Sequence, residues 1–350
     1  MSLPATQFSK AILQWFDMHG RKHLPWQQNK TPYRVWVSEI MLQQTQVSAV
    51  IPYFERFMQR FPDLPSLANA STDDVMHQWA GLGYYSRARN LHRAAQMVMQ
   101  EFGGKFPDNI DDLQLLPGIG RSTAGAILSI AFQQRATILD GNVKRVLARY
   151  LAITDPIDRT IENTMWETAT AFTPKKRSAD YTQAIMDLGA TLCTRSKPQC
   201  PRCPFVVTCR AHAAGIAELL PTKKATRTIP TRTATFLILR TDGKILLQKR
   251  PPHGIWGGLW SLPEISGEPD KKQIRTLCSN EFHLDVKKFT TLPPFRHTFS
   301  HYHLNIHPVI IPAVMPAKVM ECTEQIWYNL NQPEPIGLPK PVQNILRNLA

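Results

Sequence analysis

Acidic residues are scarce in this sequence. Its 350 residues hold 27 Asp and Glu against 41 Lys and Arg, which gives a formal net charge of +14 and a pI near 9.6. Both halves carry the excess, with 26 basic against 18 acidic residues up to residue 225 and 15 against 9 beyond it. Such a balance disfavours cationic partners and favours nucleic acid, where release of phosphate counterions drives binding. The alternative, an anionic membrane surface, lacks the basic amphipathic helix with an unbroken apolar face that it would need. Transmembrane-length apolar runs are missing too, and the N-terminus has neither the basic start nor the apolar core of a signal peptide. A reducing, cytoplasmic compartment is therefore expected. Cysteine is sparse, six in all, and four of the six crowd into Cys193, Cys200, Cys203 and Cys209. In a reducing compartment that grouping reads as metal ligands rather than disulfides, with Cys278 and Cys322 as free thiols.

Up to residue 193 no sustained two-residue alternation occurs, whereas apolar residues recur at helical spacing, as in Phe8, Ile12, Trp15 and Phe16. An all-α first domain is expected. Its central stretch runs from Leu116 to Arg149. Leu116-Pro117-Gly118-Ile119-Gly120 reads as a helix stop and a tight two-glycine turn, with a new helix opening at Ser122. Glycine there permits positive φ and close backbone approach, and the free N–H groups of the new helix face an anion with the positive end of its dipole. A DNA phosphate suits that position; an ordinary helical connection is the alternative. Downstream, Asp140 follows an apolar run and precedes Gly141-Asn142-Val143-Lys144-Arg145-Val146, where it can serve as a plain N-cap. Upstream, Glu39 lies in a helix opened by Thr31 and Pro32, among Val35, Trp36, Val37, Ile40 and Met41. An acid in such company is partly desolvated and retains its proton; a solvated Glu on a helix face is the alternative.

The hairpin with its downstream Asp resembles the helix-hairpin-helix DNA glycosylase superfamily. Glu39 in VSEIMLQQTQV, the segment Gly81-Leu82-Gly83-Tyr84-Tyr85, LDGNVKRV and the cysteine cluster narrow the resemblance to the MutY family of adenine DNA glycosylases. Over nearly the whole chain, the resemblance implies removal of adenine mispaired with 8-oxoguanine or guanine in duplex DNA, by a bacterial-type, nucleoid-associated monomer. Glu39 and Asp140 would be catalytic. Gln43, Gln44 and Thr45 in one turn, and Leu82 and Tyr84 in another, would enter the duplex, with Gly118, Gly120 and Ser122 at its backbone. Arg21, Gln183 and Asn142 would border the adenine. On the helix after the second turn, Arg87, Arg89 and Arg93 suit phosphates; ordinary solvated arginines are the alternative. Bifunctional relatives carry a Schiff-base Lys where this chain has Ser122, so strand cleavage is not expected. An endonuclease III-like lyase and a non-enzymatic DNA-binding protein are the competing readings.

The cysteines follow C-x6-C-x2-C-x5-C, a spacing that by itself leaves zinc open. By resemblance it holds one [4Fe-4S] cluster, with Arg195, Lys197, Arg202 and Arg210 presenting charge around it. A helical domain is expected over 1–220, a basic Pro-flanked linker over 221–232, and an α+β domain over 233–350. The last opens with a hairpin, Thr235–Arg240 and Lys244–Lys249 around Asp242-Gly243. Gly258 and Glu264 resemble the start of a Nudix box, but the following helix offers Lys272-Gln273-Ile274-Arg275-Thr276-Leu277 where that family needs carboxylates. No Mg²⁺-dependent activity is expected. His297, His301, His303 and His307 suggest a metal or simply an alternating strand. By resemblance, Phe299, Ser300 and His301 read 8-oxoguanine.

Overall fold

The computed structural model describes residues 4–222, 228–313 and 324–349. The chain divides into two compact units, one built from residues up to 69 and from 90 onward to the linker, the other from 70–89 together with the C-terminal region.

The first unit is helical. α1 (Ala5–His19) stops at Gly20, where a Cβ would fall 2.3 Å from the Phe16 ring. α2 (Pro32–Leu42) opens on Pro32 with the Thr31 hydroxyl accepting from the Arg34 N–H, as expected for a capped, proline-started helix. α3 (Val47–Arg60), α4 (Leu64–Ala68) and α7 (Ile110–Leu115) follow, while α5 (Thr72–Trp79) and the first residues of α6 (Ser86–Glu101), up to Arg89, belong to the second unit. The hairpin then feeds α8 (Arg121–Ile130), and Asp140 caps α9 (Gly141–Leu151). α10 (Arg159–Phe172), α11 (Ser178–Thr191) and the short α12 (Arg210–Ala213) complete the array. α11 is its axis, packing on α1, α8 and α9. Gly189 makes the approach to α9 possible, since a Cβ there would lie 2.7 Å from Asn142 Cβ, and Gly125 likewise lets α8 approach the segment before Asp140, where a Cβ would lie 2.1 Å from the Thr137 carbonyl. Phe8, Tyr150, Phe172 and Phe205 form one aromatic cluster, and Phe205 carries the cysteine loop into it by stacking on Phe8 at 4.3 Å.

In the second unit a mixed sheet has the order β3-β2-β1-β7-β5. Its strands are β1 (Thr231–Thr241), β2 (Lys244–Lys249), β3 (Trp260–Ser261), β4 (Glu264–Ser266), β5 (Thr290–Thr291), β6 (Phe295–Thr298), β7 (His303–Pro312) and β8 (Gln325–Asn329). β1 and β2 form the expected hairpin, while β1 and β7 run parallel from Thr231 opposite His303 to Arg240 opposite Pro312. β1 therefore begins two residues inside the expected linker, because Thr231 already has a strand partner. Its burial does not alternate either. Ala234 through Leu239 are all buried, since this central strand is covered on both faces. α13 (Lys271–Phe282) closes one face with Ile274, Cys278 and Phe282 against Leu237, Leu239 and Ile311, and α14 (Lys340–Leu349) ends the described chain. Cys322 lies outside the described residues.

Residues 70–89, expected within the helical domain, pack with the sheet. The His77 ring donates to the Ile336 carbonyl, Lys249 pairs with Asp73 at 2.8 Å, and Gly337 sits so close that a Cβ would meet Met76 at 2.9 Å. Among the described residues no helix is long and apolar enough to cross a membrane.

Candidate active site

A cleft of about 910 Å³ opens in the helical unit, and Glu39, Gln43, Gln44, Thr45, Ser122 and Asp140 all line it. Their convergence follows from helix ends. Asp140 is the N-cap of α9, and its carboxylate accepts from the Val143 N–H at 2.8 Å and the Asn142 amide at 3.0 Å. The Ser122 hydroxyl, one residue into α8, accepts the Leu139 N–H at 3.0 Å and so pins the segment entering Asp140. Across the cleft, Glu39 comes from the last turn of α2.

The two carboxyl groups share a desolvated space but differ in support. Burial pushes Glu39 up to about 8, and the negative charge of Asp140 adds to the shift. Burial also raises Asp140, against the opposing pull of the Val143 N–H, the Asn142 amide and the Arg145 charge. Among the described residues only Asp140 receives hydrogen-bond donors, which favour its charged form, whereas burial and the neighbouring charge favour the protonated form of Glu39.

Arg21, Gln183 and Asn142 reach the same cleft. Two of them meet at a residue with no signal in the sequence: Asp187 is fully buried and accepts from the Arg21 N–H at 2.8 Å, from the Arg21 guanidinium at 2.7 and 3.0 Å, and from the Gln183 amide at 2.9 Å. Asn142, besides donating to Asp140, accepts from Arg145 at 2.8 Å. Arg145 also donates to the carbonyls of Gly189 and Cys193 at 2.6 and 2.7 Å. The Asp140 cap, α11 and the cysteine loop thus share one hydrogen-bonded framework.

The hairpin needs its first glycine for conformation. Gly118 takes φ +83°, while Gly120 has an ordinary φ of −92° and caps α8, which begins at Arg121 rather than Ser122. A Cβ at Gly120 would meet no neighbour within 4 Å. Gln44 adopts φ +57° in the turn between α2 and α3, flanked by Gln43, whose amide reaches Thr123 at 3.4 Å, and Thr45, whose hydroxyl donates to the Gln43 carbonyl. In the second turn Tyr84 has φ +49° and is 45% exposed, but Leu82, expected at the duplex, is buried at 7%. Arg87, expected on phosphates, is buried as well. Its guanidinium donates to the Gly83 carbonyl and stacks between Trp79 and Tyr84, and burial pulls its pKa down to about 10. Arg87 braces the turn because the turn's carbonyls face the helix that carries it.

Cys193, Cys200, Cys203 and Cys209 are all free and half-buried. Burial raises the last three thiols, and the charge of Cys193 raises them further. Arg149, 2% exposed, organises their loop by donating to the carbonyls of Thr194, Arg195 and Leu220 and to Cys193 Sγ at 3.4 Å. No group of three or more His, Cys, Asp or Glu placed to hold a single metal ion occurs among the described residues. That corrects a metal reading of the histidines. His297, His303 and His307 are strand residues on β6 and β7, and His301 belongs to the turn between them. In that turn Phe299 packs on Trp256 at 5.2 Å and on Tyr302 at 4.6 Å, with Ser300 and His301 exposed beside it. Glu264 pairs with Arg250 at 2.6 Å, and α13 carries Lys and Gln in its first turn.

Residues 37–170 match the HhH-GPD superfamily of base excision DNA repair proteins, and residues 234–348 match the NUDIX domain family. An adenine DNA glycosylase of Buchnera aphidicola is 40% identical over 343 residues, which is 97% of both chains. The chain belongs to the adenine DNA glycosylase family. The human adenine DNA glycosylase is 37% identical across 85% of this chain and 66% of its own length. The helical unit also shares its fold with solved structures. A thermostable thymine-DNA glycosylase covers 60% of this chain and 97% of itself with a TM-score of 0.54 at 25% identity. An endonuclease III bound to DNA covers 61% of this chain and 99% of itself, with a TM-score of 0.52 at 22% identity.

Within this adenine DNA glycosylase family member, sequence reasoning missed the residues that hold the site rather than face it. Asp187 and Arg149 look like ordinary helix charges in a linear sequence, and only long-range partners 166 and 45 positions away reveal them. Gly189 carried one usable signal, a glycine inside a helical pattern, which marks close approach of another backbone.

Proposed function

We propose that this protein is a monofunctional DNA glycosylase that hydrolyses the N-glycosidic bond of adenine opposite 8-oxoguanine, and opposite guanine, in duplex DNA. The observation that carries the reading is the convergence of a buried Glu39 and an N-capping Asp140 in one cleft. The hairpin N–H groups at Gly118 and Gly120 hold a backbone phosphate, with Ser122 beside them at the duplex. The Gln43-Gln44-Thr45 turn and Tyr84 open the stack, and the adenine is extruded into the cleft, where Arg21, Gln183 and Asn142 border it. Glu39 protonates the base so that it departs neutral. As the bond breaks, positive charge grows on the sugar and Asp140 stabilises it. Glu39, now ionised, accepts a proton from the water that completes hydrolysis.

Ser122 supplies no amine, and its hydroxyl is committed to the Leu139 N–H, so no Schiff base forms there. The four cysteines fit an iron-sulfur cluster: neighbouring half-buried thiols that oppose one another's ionisation become favourable ligands once cationic iron neutralises them. Cys193, Cys200, Cys203 and Cys209 would hold one [4Fe-4S] cluster, whose bonds fix the loop covalently. Phe299, Ser300 and His301 face the base opposite the adenine and read 8-oxoguanine. Replacing Phe299 and His301 with Ala tests that assignment: single-turnover excision opposite 8-oxoguanine falls toward the rate opposite guanine. Unchanged discrimination would remove the turn from lesion reading.

A further inference from the structure

The wedge turn and the lesion-reading turn belong to the same compact unit, although more than 200 residues separate them in the chain. The helix that begins at Ser86 joins them, carrying one set of contacts to each. Tyr84 stacks on Arg87, which the Gly83 carbonyl holds in place. Two residues further along the same helix, Arg89 donates to the Gly257 carbonyl, and its Cδ lies 3.6 Å from where a Cβ on Gly258 would sit. The loop receiving that bond has no room to yield, since a Cβ at Gly257 would meet the Pro251 and Pro252 carbonyls within 2.9 Å. Next to Gly257, Trp256 is held at φ +55° and is buried, its ring against His297 at 5.6 Å and Phe299 at 5.2 Å. The Asp73–Lys249 pair ties the preceding helix to the same sheet.

We propose that Arg89 and Trp256 are positioning residues that lock the Tyr84 wedge and the Phe299–His301 turn into one frame, so that lesion recognition sets the placement of the wedge. The inference rests on the assignment of that turn to 8-oxoguanine reading. Neither residue contacts the cleft chemistry; each acts through the aromatic tip it supports. A bond between two rigid elements transmits position, whereas a phosphate contact would add affinity without regard to the opposite base.

The test uses the full-length protein and single-turnover excision of adenine opposite 8-oxoguanine and opposite guanine, with 2-aminopurine fluorescence beside the opposite base as a reporter of wedge insertion. Arg89→Met is expected to lower the preference for 8-oxoguanine about tenfold, mostly by slowing the 8-oxoguanine substrate, and to weaken the fluorescence change. Arg89→Lys, which keeps one donor, recovers part of both. Trp256→Leu gives the same loss, and the double variant is no worse than either single one, because both cut one connection. If Arg89→Met does not fold, Arg89→Lys and Trp256→Leu decide. Equal weakening on both substrates with a salt slope reduced by about one would make Arg89 a phosphate contact and overturn the inference, as would additive losses or an unchanged preference. A wild-type protein without any 8-oxoguanine preference would overturn the lesion-reading assignment itself, and this proposal with it.

Discussion

Of the two carboxyl groups in one cleft, only Asp140 is given hydrogen-bond donors among the described residues, and the proposed division of roles follows from that difference. Asp140→Asn tests this cleanly, since Asn caps a helix as well as Asp and the fold should persist. DNA affinity is expected to hold while excision drops by about a thousandfold or more; near-normal turnover would remove Asp140 from the chemistry. Glu39 sets the pH dependence. With its pKa raised from 4.5 to about 8, the acid form is present below that value, so the excision rate falls as pH rises through about 8. The same shift bears on stability. The folded state binds this proton more tightly than the unfolded one, so stability is fully retained below pH 4.5 and declines as pH rises through about 8. Glu39→Gln should therefore melt higher than the parent at pH 9 and equally at pH 4, in scans at the two values. Both carboxylates were singled out in the sequence by the family resemblance of VSEIMLQQTQV and LDGNVKRV, since local pattern alone left a solvated Glu39 and a plain N-cap at Asp140 open. Asp187 was not, because a buried Asp announces itself only through Arg21 and Gln183, and those contacts exist only after α11 has packed.

At the scale of elements, the close approach of α11 to the start of α9 fixes the cap that carries Asp140. Gly189→Ala would place a methyl carbon 2.7 Å from Asn142 Cβ and within 3.2 Å of its backbone, so Asn142 must shift and the donor to Asp140 with it. Excision should fall more than stability does, the latter by about 1–3 kcal/mol, as read from paired kinetics and denaturant melts. Ser122→Lys at the head of α8 places an amine on the cleft wall and removes the bond to Leu139. Borohydride trapping should then capture a covalent DNA adduct that the parent lacks, and no adduct would show that the cleft does not present the sugar to this position. Helix starts and stops were readable from Thr31, Pro32, Gly20 and Asp140, whose chemistry is local. The burial of Leu82 and Arg87 was not, because the Gly81–Tyr85 turn folds onto its own helix through the Gly83 carbonyl.

For the whole molecule, the sequence marked a change from helical to strand patterning but not where each unit draws its residues. Residues 70–89 read as one more helical stretch, and their contacts to Lys249, Gly257 and Ile336 are invisible until the sheet forms. The excess of positive charge belongs to this scale too, and predicts that DNA affinity falls steeply with salt, in proportion to the phosphates neutralised. Removal of adenine by hydrolysis that leaves the strand intact is tested most directly by single-turnover reaction of duplexes carrying adenine opposite 8-oxoguanine, guanine or thymine, resolved with and without alkali. Breaks at adenine opposite 8-oxoguanine that require alkali, with slower breaks opposite guanine and none opposite thymine, are the predicted result. Breaks that appear without alkali, or no loss of adenine from any duplex, would contradict it.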